Sequence, residues 1–226
     1  PSNSSAASDV YKRQHICPFL VLGLRASEIA MARLGLGKPG VIETVAEDIV
    51  AVVEANNCFA DGVQVATGCT LGNNSLIYVD LGKNAVTLFR RGSGRGVRVY
   101  VDAEKVIDKY FPAEALELFE KVVVRREGSR EEVIRLNKLW EEIGYRLAEL
   151  PEQDFSVREV EIVEEPGRAP IFESIRCSVC GELAMATRIV YVEGRPLCLA
   201  CAGREAAAVI GRGIEFLEKP LYRVVG

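Results

Sequence analysis

The chain has 226 residues, 49% hydrophobic and 27% charged, a globular composition sized for one domain or one domain plus a small module. Its 28 Lys and Arg against 32 Asp and Glu leave a formal charge of −4, without the broad positive field that non-specific nucleic-acid binding needs. The longest apolar stretches, such as 19–22 and 49–53, are far short of the roughly 18–20 residues that span a bilayer.

Residues 1–14, PSNSSAASDVYKRQ, are rich in Ser and small side chains, and they read as a disordered tail of adaptor character outside the fold. No charged-then-apolar leader opens the chain, so a soluble, cytoplasmic protein is expected. Leu22, Ala26, Ile29 and Ala30 predict a helix over 18–36, opened by Pro18 and closed by Gly35 and Gly37. The β-branched run Ile49-Val50-Ala51-Val52-Val53 predicts a buried strand, with a helix as the alternative. A short helix over 58–67 and the turn-rich TGCTLGNN follow. Strands at 76–80 and 85–89, joined through Gly82-Lys83-Asn84, read as a hairpin. Gly92, Gly94 and Gly96 mark a turn between strands, and 96–101 places Val97, Val99 and Val101 on one face.

Two helices are expected next. The first, 113–126, carries Leu116, Phe119 and Val123 at helical spacing. Ser129 and Glu132 form a capping box for the second, whose stripe is Val133, Leu136, Trp140, Ile143, Leu147 and Leu150. That stripe packs on its own domain or forms a dimer seam. Pro151 stops it. The proline-containing, acidic stretch 151–170 reads as a linker, with an edge strand around 157–163, before a smaller module at 171–226. The core proper is then 15–150.

Cysteine and histidine usage narrows the chemistry. The only histidine is His15, and no G-x-S-x-G elbow accompanies it, which argues against a serine-hydrolase triad. Walker A and G-x-G-x-x-G motifs are absent. Of seven cysteines, Cys177, Cys180, Cys198 and Cys201 form the pattern C-x2-C-x17-C-x2-C. Two such knuckles build a tetrahedral thiolate cage that suits a structural Zn2+, with rubredoxin-like iron the rival. A hairpin over 189–197 would return the second pair to the first. AGREAAAVI after Cys201 reads as a helix, which makes the arrangement a treble clef. With 7 Lys and Arg against 6 Asp and Glu in 171–226, the module has too weak a basic balance to argue for DNA.

The other sulfurs sit in informative contexts. His15-Ile16-Cys17-Pro18 puts two potential ligands just before a helix. Cys58 opens Phe59-Ala60-Asp61-Gly62-Val63-Gln64, and Cys69 lies in a glycine-rich turn that could expose backbone N–H groups. On residue chemistry alone, Cys58 and Cys69 read more readily as small core fillers than as ligands.

HICP, VVEANNCFADGVQVATGCTLGNNSLIYVDLGKNAVTLF and GVRV resemble the core of the FmdE family, which takes its name from a component of formylmethanofuran dehydrogenase. Its pattern is F-H-G-H-x-C-P-G, then a Cys, D-x-x-Q, T-G-C-T-x-G and D-x-G-K. CSVCGE and CLAC resemble the zinc-binding extension that some members carry. Arg13 stands where the family has its first His, and Phe19 replaces the Gly after Cys-Pro. The resemblance implies an α+β fold, with a mixed or antiparallel sheet and helices, frequently dimeric. It also implies one pocket in which His15 and Cys17 are metal ligands and Cys58 or Cys69 is a further ligand or reactive thiolate. Gln64, Thr70, Asn73, Asn74 and Lys83 would be its polar partners. A second transition metal would sit there beside the structural Zn2+ of the C-terminal module. The implied role lies in redox or one-carbon metabolism, with a homodimer and a molybdenum or tungsten enzyme complex as partners. A non-catalytic metal-handling protein and a zinc-finger regulator are the alternatives.

Overall fold

An all-apolar strand such as Ile49-Val50-Ala51-Val52-Val53 needs cover on both faces and partners on both edges. In the computed structural model, which describes residues 16–37, 40, 42, 46–211, 213–218 and 221, it takes such a place. It forms β1 (Ile49–Val53), inside a five-stranded sheet of order β2-β1-β3-β4-β5. The others are β2 (Leu76–Tyr78), β3 (Ala85–Arg90), β4 (Arg95–Tyr100) and β5 (Ser156–Glu161). The tail expected at 1–14 and His15 lie outside the described residues.

The hairpin expected between 76–80 and 85–89 does not form. β1 lies between them, parallel to β2 with Ala51 opposite Leu76, and antiparallel to β3 with Ala51 opposite Leu88. The Gly82-Lys83-Asn84 signal marks a chain reversal without specifying which strand pairs. β2, with three residues, takes the sheet edge, and the more apolar β1 goes inside. β3 and β4 do form a hairpin, with Phe89 opposite Gly96.

Side chains alternate along the strands, so the two sheet faces differ. Ala51, Val53, Val86, Leu88, Val97 and Val99 point into one core with α1 (Pro18–Arg33), α2 (Cys58–Thr67) and the long helix at 130–148. On the other face, the register sets Val52, Thr87, Arg98 and Arg158 in one row across four strands. The helices α1 and α2 touch backbone to backbone. A Cβ on Gly23 would stand 2.0 Å from the Phe59 carbonyl oxygen, and one on Gly62 would stand 2.0 Å from that of Leu20. Only glycine permits this approach at either position.

After β4 comes a helix absent from the sequence reading, α3 (Ala103–Tyr110), whose N-terminus Asp102 caps through the Lys105 N–H. The helix expected over 113–126 is regular only as α4 (Ala113–Phe119), then widens into a π turn at Glu120–Val124. Its expected core stripe is corrected: Ala115 is the buried position, and Leu116 and Phe119 stay 40% and 41% exposed. Both bonds of the capping box form at α5 (Arg130–Ala148). The buried stripe there is Leu136, Leu139, Ile143 and Leu147, followed by Leu150. Val133 is exposed and Trp140 is half-buried, its ring tilted against Phe119 at 6.1 Å.

The expected linker contributes to the core. Beyond β5, the Arg91 guanidinium donates to the carbonyls of Glu47, Asn74 and Pro166. Asn74 Nδ2 donates to the Gly167 carbonyl at 2.7 Å, and the Gly92 N–H donates to Glu165 Oε2 at 2.7 Å. The stretch through Arg168 is thereby strapped to the sheet.

The chain divides into two compact units after Arg168. The second unit consists of three two-stranded hairpins: β6 (Ser174–Arg176) with β7 (Leu183–Met185), β8 (Ile189–Val192) with β9 (Arg195–Cys198), and β10 (Ala206–Ile210) with β11 (Gly213–Leu217). The helix expected after Cys201 is corrected to a turn and the β10–β11 hairpin. Ala206–Ile210 ends in Val and Ile and finds a matching apolar strand opposite, Val209 against Ile214, so pairing overrides alanine's helix preference. Among the described residues no helix follows the second knuckle, so the helix of a treble clef is not formed there.

Candidate functional site

In the second unit, β9 carries the second cysteine knuckle back to the first. The Cys177 N–H donates to the Glu182 carbonyl and the Ser178 N–H to the Pro196 carbonyl, both at 2.9 Å. The sulfurs of Cys177, Cys180, Cys198 and Cys201 consequently lie within 4.8 Å of one another. Zn–S bonds of about 2.3 Å in a tetrahedron require S···S edges of about 3.8 Å; Cys180 and Cys198 are 4.0 Å apart. Backbone N–H groups are aimed at the sulfurs: Cys198 and Val179 to Cys177 Sγ at 3.4 and 3.5 Å, and Cys201 to Cys198 Sγ at 3.5 Å. The Cys198 N–H, with those of Cys180 and Val179, holds the Cys177 thiol down to about 6. The Cys198 sulfur beside Cys201 pushes that thiol up to about 12. Metal-free, the cage ionises one sulfur readily and resists losing its last proton; a divalent cation removes that conflict. The donor set fits structural Zn2+.

In the core unit, the chain reversals bring two helix N-termini together. Cys17 is the N-cap residue of α1, and Cys58 is the first residue of α2, which Asn57 caps by accepting from the Phe59 N–H at 2.9 Å. The neighbouring Cys17 thiol is the main cause that raises the Cys58 thiol, followed by burial and the charges of Cys17 and Asp61. Asp61, one helical turn beyond Cys58, is itself raised by burial. The sequence reading passes over it as a site residue, although its spacing from Cys58 places both on one helix face. Gln64 continues that face, half-buried. The Lys83 N–H donates to the Glu54 carbonyl at 2.9 Å, and Asn57 Nδ2 to Asn84 Oδ1 at 3.0 Å, so Lys83 belongs to this end of β1.

Cys69 does not join them. It follows the C-terminus of α2, whose 10 residues span about 15 Å, and its thiol donates to the Ile49 carbonyl at the opposite end of β1. It is 2% exposed, and burial raises its thiol. Thr70 and Asn73 stay with Cys69. Asn73 Oδ1 accepts from the N–H groups of Thr70 and Ser75 at 3.2 Å each, and the Cys69 N–H donates to Thr67 Oγ1 at 3.1 Å. The N–H groups of Cys69, Thr70, Asn73, Asn74 and Ser75 are bonded within the turn and are not offered to a ligand. The single pocket expected for Cys17, Cys58 and Cys69 is therefore two places, at opposite ends of β1. Among the described residues, the zinc-type cluster is the one group of three or more His, Cys, Asp or Glu close enough to hold a metal ion. His15, the remaining expected ligand of the core, falls outside them.

No helix among the described residues is long and apolar enough to cross a membrane. The family described as "FmdE, Molybdenum formylmethanofuran dehydrogenase operon" matches residues 14–156, and "Prokaryotic dksA/traR C4-type zinc finger" matches 170–205. The chain is 59% identical over 211 residues, 93% of its length, to a protein of Archaeoglobus fulgidus named probable S-adenosyl-L-methionine-binding protein, and spans 56% of that relative. A crystal structure of a tungsten formylmethanofuran dehydrogenase FmdE-like protein from Syntrophus aciditrophicus is similar at a TM-score of 0.52 and 26% identity, covering 83% of this chain and 84% of that one. With this core, this order of motifs and a four-cysteine cluster behind them, the chain belongs to the FmdE family and carries a C4-type zinc finger.

Proposed function

We propose that this protein is a metal-handling FmdE-type module whose core acts through the Cys17–Cys58 thiol pair, with the C-terminal zinc serving structure only. The observation that carries this reading is the placement of two cysteines at the N-termini of two helices packed backbone to backbone, each thiol influencing the other. Positive helix ends favour thiolates, whereas burial and mutual repulsion oppose ionising both sulfurs. A soft cation resolves that opposition, and one next to His15 would have a nitrogen donor two residues before Cys17. A metal with two sulfurs and an open position suits redox or one-carbon chemistry, in a homodimer or beside a molybdenum or tungsten enzyme. The pair would hold the ion, and Asp61 would accept a proton released as the metal displaces it.

Metal analysis of the full chain tests this. Wild type should retain two equivalents of metal, Cys17→Ser/Cys58→Ser one, and Cys177→Ser/Cys198→Ser one. Wild type that holds a single equivalent, lost wholly in the second variant, would show that the core binds none.

A further inference from the structure

A cleft of about 680 Å3 opens in the core unit where β4 ends, β5 begins and α3 packs beside the turn at Glu152–Asp154. Small-molecule sites run from roughly 300 to 1,000 Å3. Its floor is apolar, formed by Val106 and Phe155, each more than nine-tenths buried. Tyr100 and Tyr110 also line it. Tyr110 is fixed in place, because its hydroxyl donates to Asp154 Oδ2 at 2.5 Å. The same carboxylate takes Lys109 Nζ at 2.9 Å, and that ammonium lies 4.9 Å from the Tyr110 ring centroid. Lys105 is likewise paired, 3.1 Å from Asp102.

Arg158 differs from these cations. The β4–β5 register puts it directly opposite Arg98, and like charges facing each other across strands repel. Arg98 is compensated by the buried Glu54 carboxylate, which it grips in bidentate fashion at 2.6 and 2.7 Å. Arg158 has no side-chain partner among the described residues, and it lines the cleft. A guanidinium that lines a cleft without an acidic partner is free to pair with an anionic group of a ligand. Asp108, the other unpartnered charge lining the cleft, disfavours a second anionic group.

We propose that this cleft binds a small molecule consisting of a planar ring and one oxyanion group, the ring against the tyrosines and the apolar floor, the anion on Arg158. This reading does not depend on the thiol pair. Stacking and apolar contact supply affinity for the ring, and a guanidinium bidentate to carboxylate or phosphate orients it.

Calorimetric titration of the full chain tests it with four probes: AMP (ring and phosphate), 4-hydroxybenzoate (ring and carboxylate), adenosine (ring alone) and inorganic phosphate (anion alone). At least one ring-bearing anion should bind at least about ten-fold more tightly than adenosine or phosphate, and which of the two does so identifies the preferred pairing of ring and oxyanion. Arg158→Gln, an exposed edge-strand substitution whose folding is checked by thermal melting, should remove that advantage and leave adenosine unchanged. Equal binding by Arg158→Gln, or ring-bearing anions binding no better than inorganic phosphate, would overturn the proposal.

Discussion

Cys58 shows how one proton depends on a neighbour. Its thiol is raised by the neighbouring Cys17 thiol first, then by burial and nearby negative charge, so it stays protonated through neutral pH. Since only the thiolate is alkylated, Cys58 should react slowly with iodoacetamide near neutrality and accelerate only as pH rises above the ordinary thiol range. Cys17→Ala removes that neighbour and its charge, and should move the Cys58 profile to lower pH. Peptide mass spectrometry of metal-free protein reads both profiles, and superimposable ones would show that the thiols are not coupled. Cys69 should remain unlabelled until the protein unfolds. The approach of Cys17 to Cys58 could not be read from spacing, because the two lie 41 positions apart. It follows from Gly23 and Gly62, which let α1 and α2 meet without intervening side chains.

At the scale of the element, α5 separates period from phase. Its capping box and three-and-four spacing were legible, since both are local. The choice between Leu139 and Trp140 was not, because each lies three or four residues from Leu136 and Ile143. Packing on α1 selects Leu139, and the larger indole is left at the rim against Phe119. Leu139→Ala should therefore cost about 2–5 kcal/mol in urea unfolding. Trp140→Ala should cost less, since its ring is only partly buried at the rim of the core; the reverse order would place the helix face wrongly. The β10–β11 hairpin illustrates the complementary failure. Three alanines read as helix in isolation, yet the residues opposite them in the hairpin determine a strand.

For the whole molecule, stability is unevenly distributed. The core unit buries most of the apolar residues, whereas in the second unit Cys177 and Leu197 are the only hydrophobic side chains below one-tenth exposed among the described residues. Two buried side chains cannot offset the chain entropy of a unit this size. Zinc–thiolate binding, about 10–16 kcal/mol in comparable peptides, supplies what is missing. Chelation should consequently abolish amide protection across β6 to β11 while α1, α5 and the five-stranded sheet keep theirs. Protection in β8 and β9 that survives complete metal removal would refute structural dependence on the ion.

Sequence alone determined what short-range chemistry encodes. The C-x2-C knuckles state their ligand set because both sulfurs of each pair come from one turn, and strand and helix periods emerge from side-chain alternation. Only the tertiary structure decided which elements become neighbours. Inserting β1 between β2 and β3 undid a hairpin that local signals favoured. The rigid length of α2 then divided one expected pocket in two, holding Cys58 with Cys17 at one end and Cys69 at the other. Such outcomes depend on competition among distant apolar surfaces for the same core, and no local window of sequence contains both competitors.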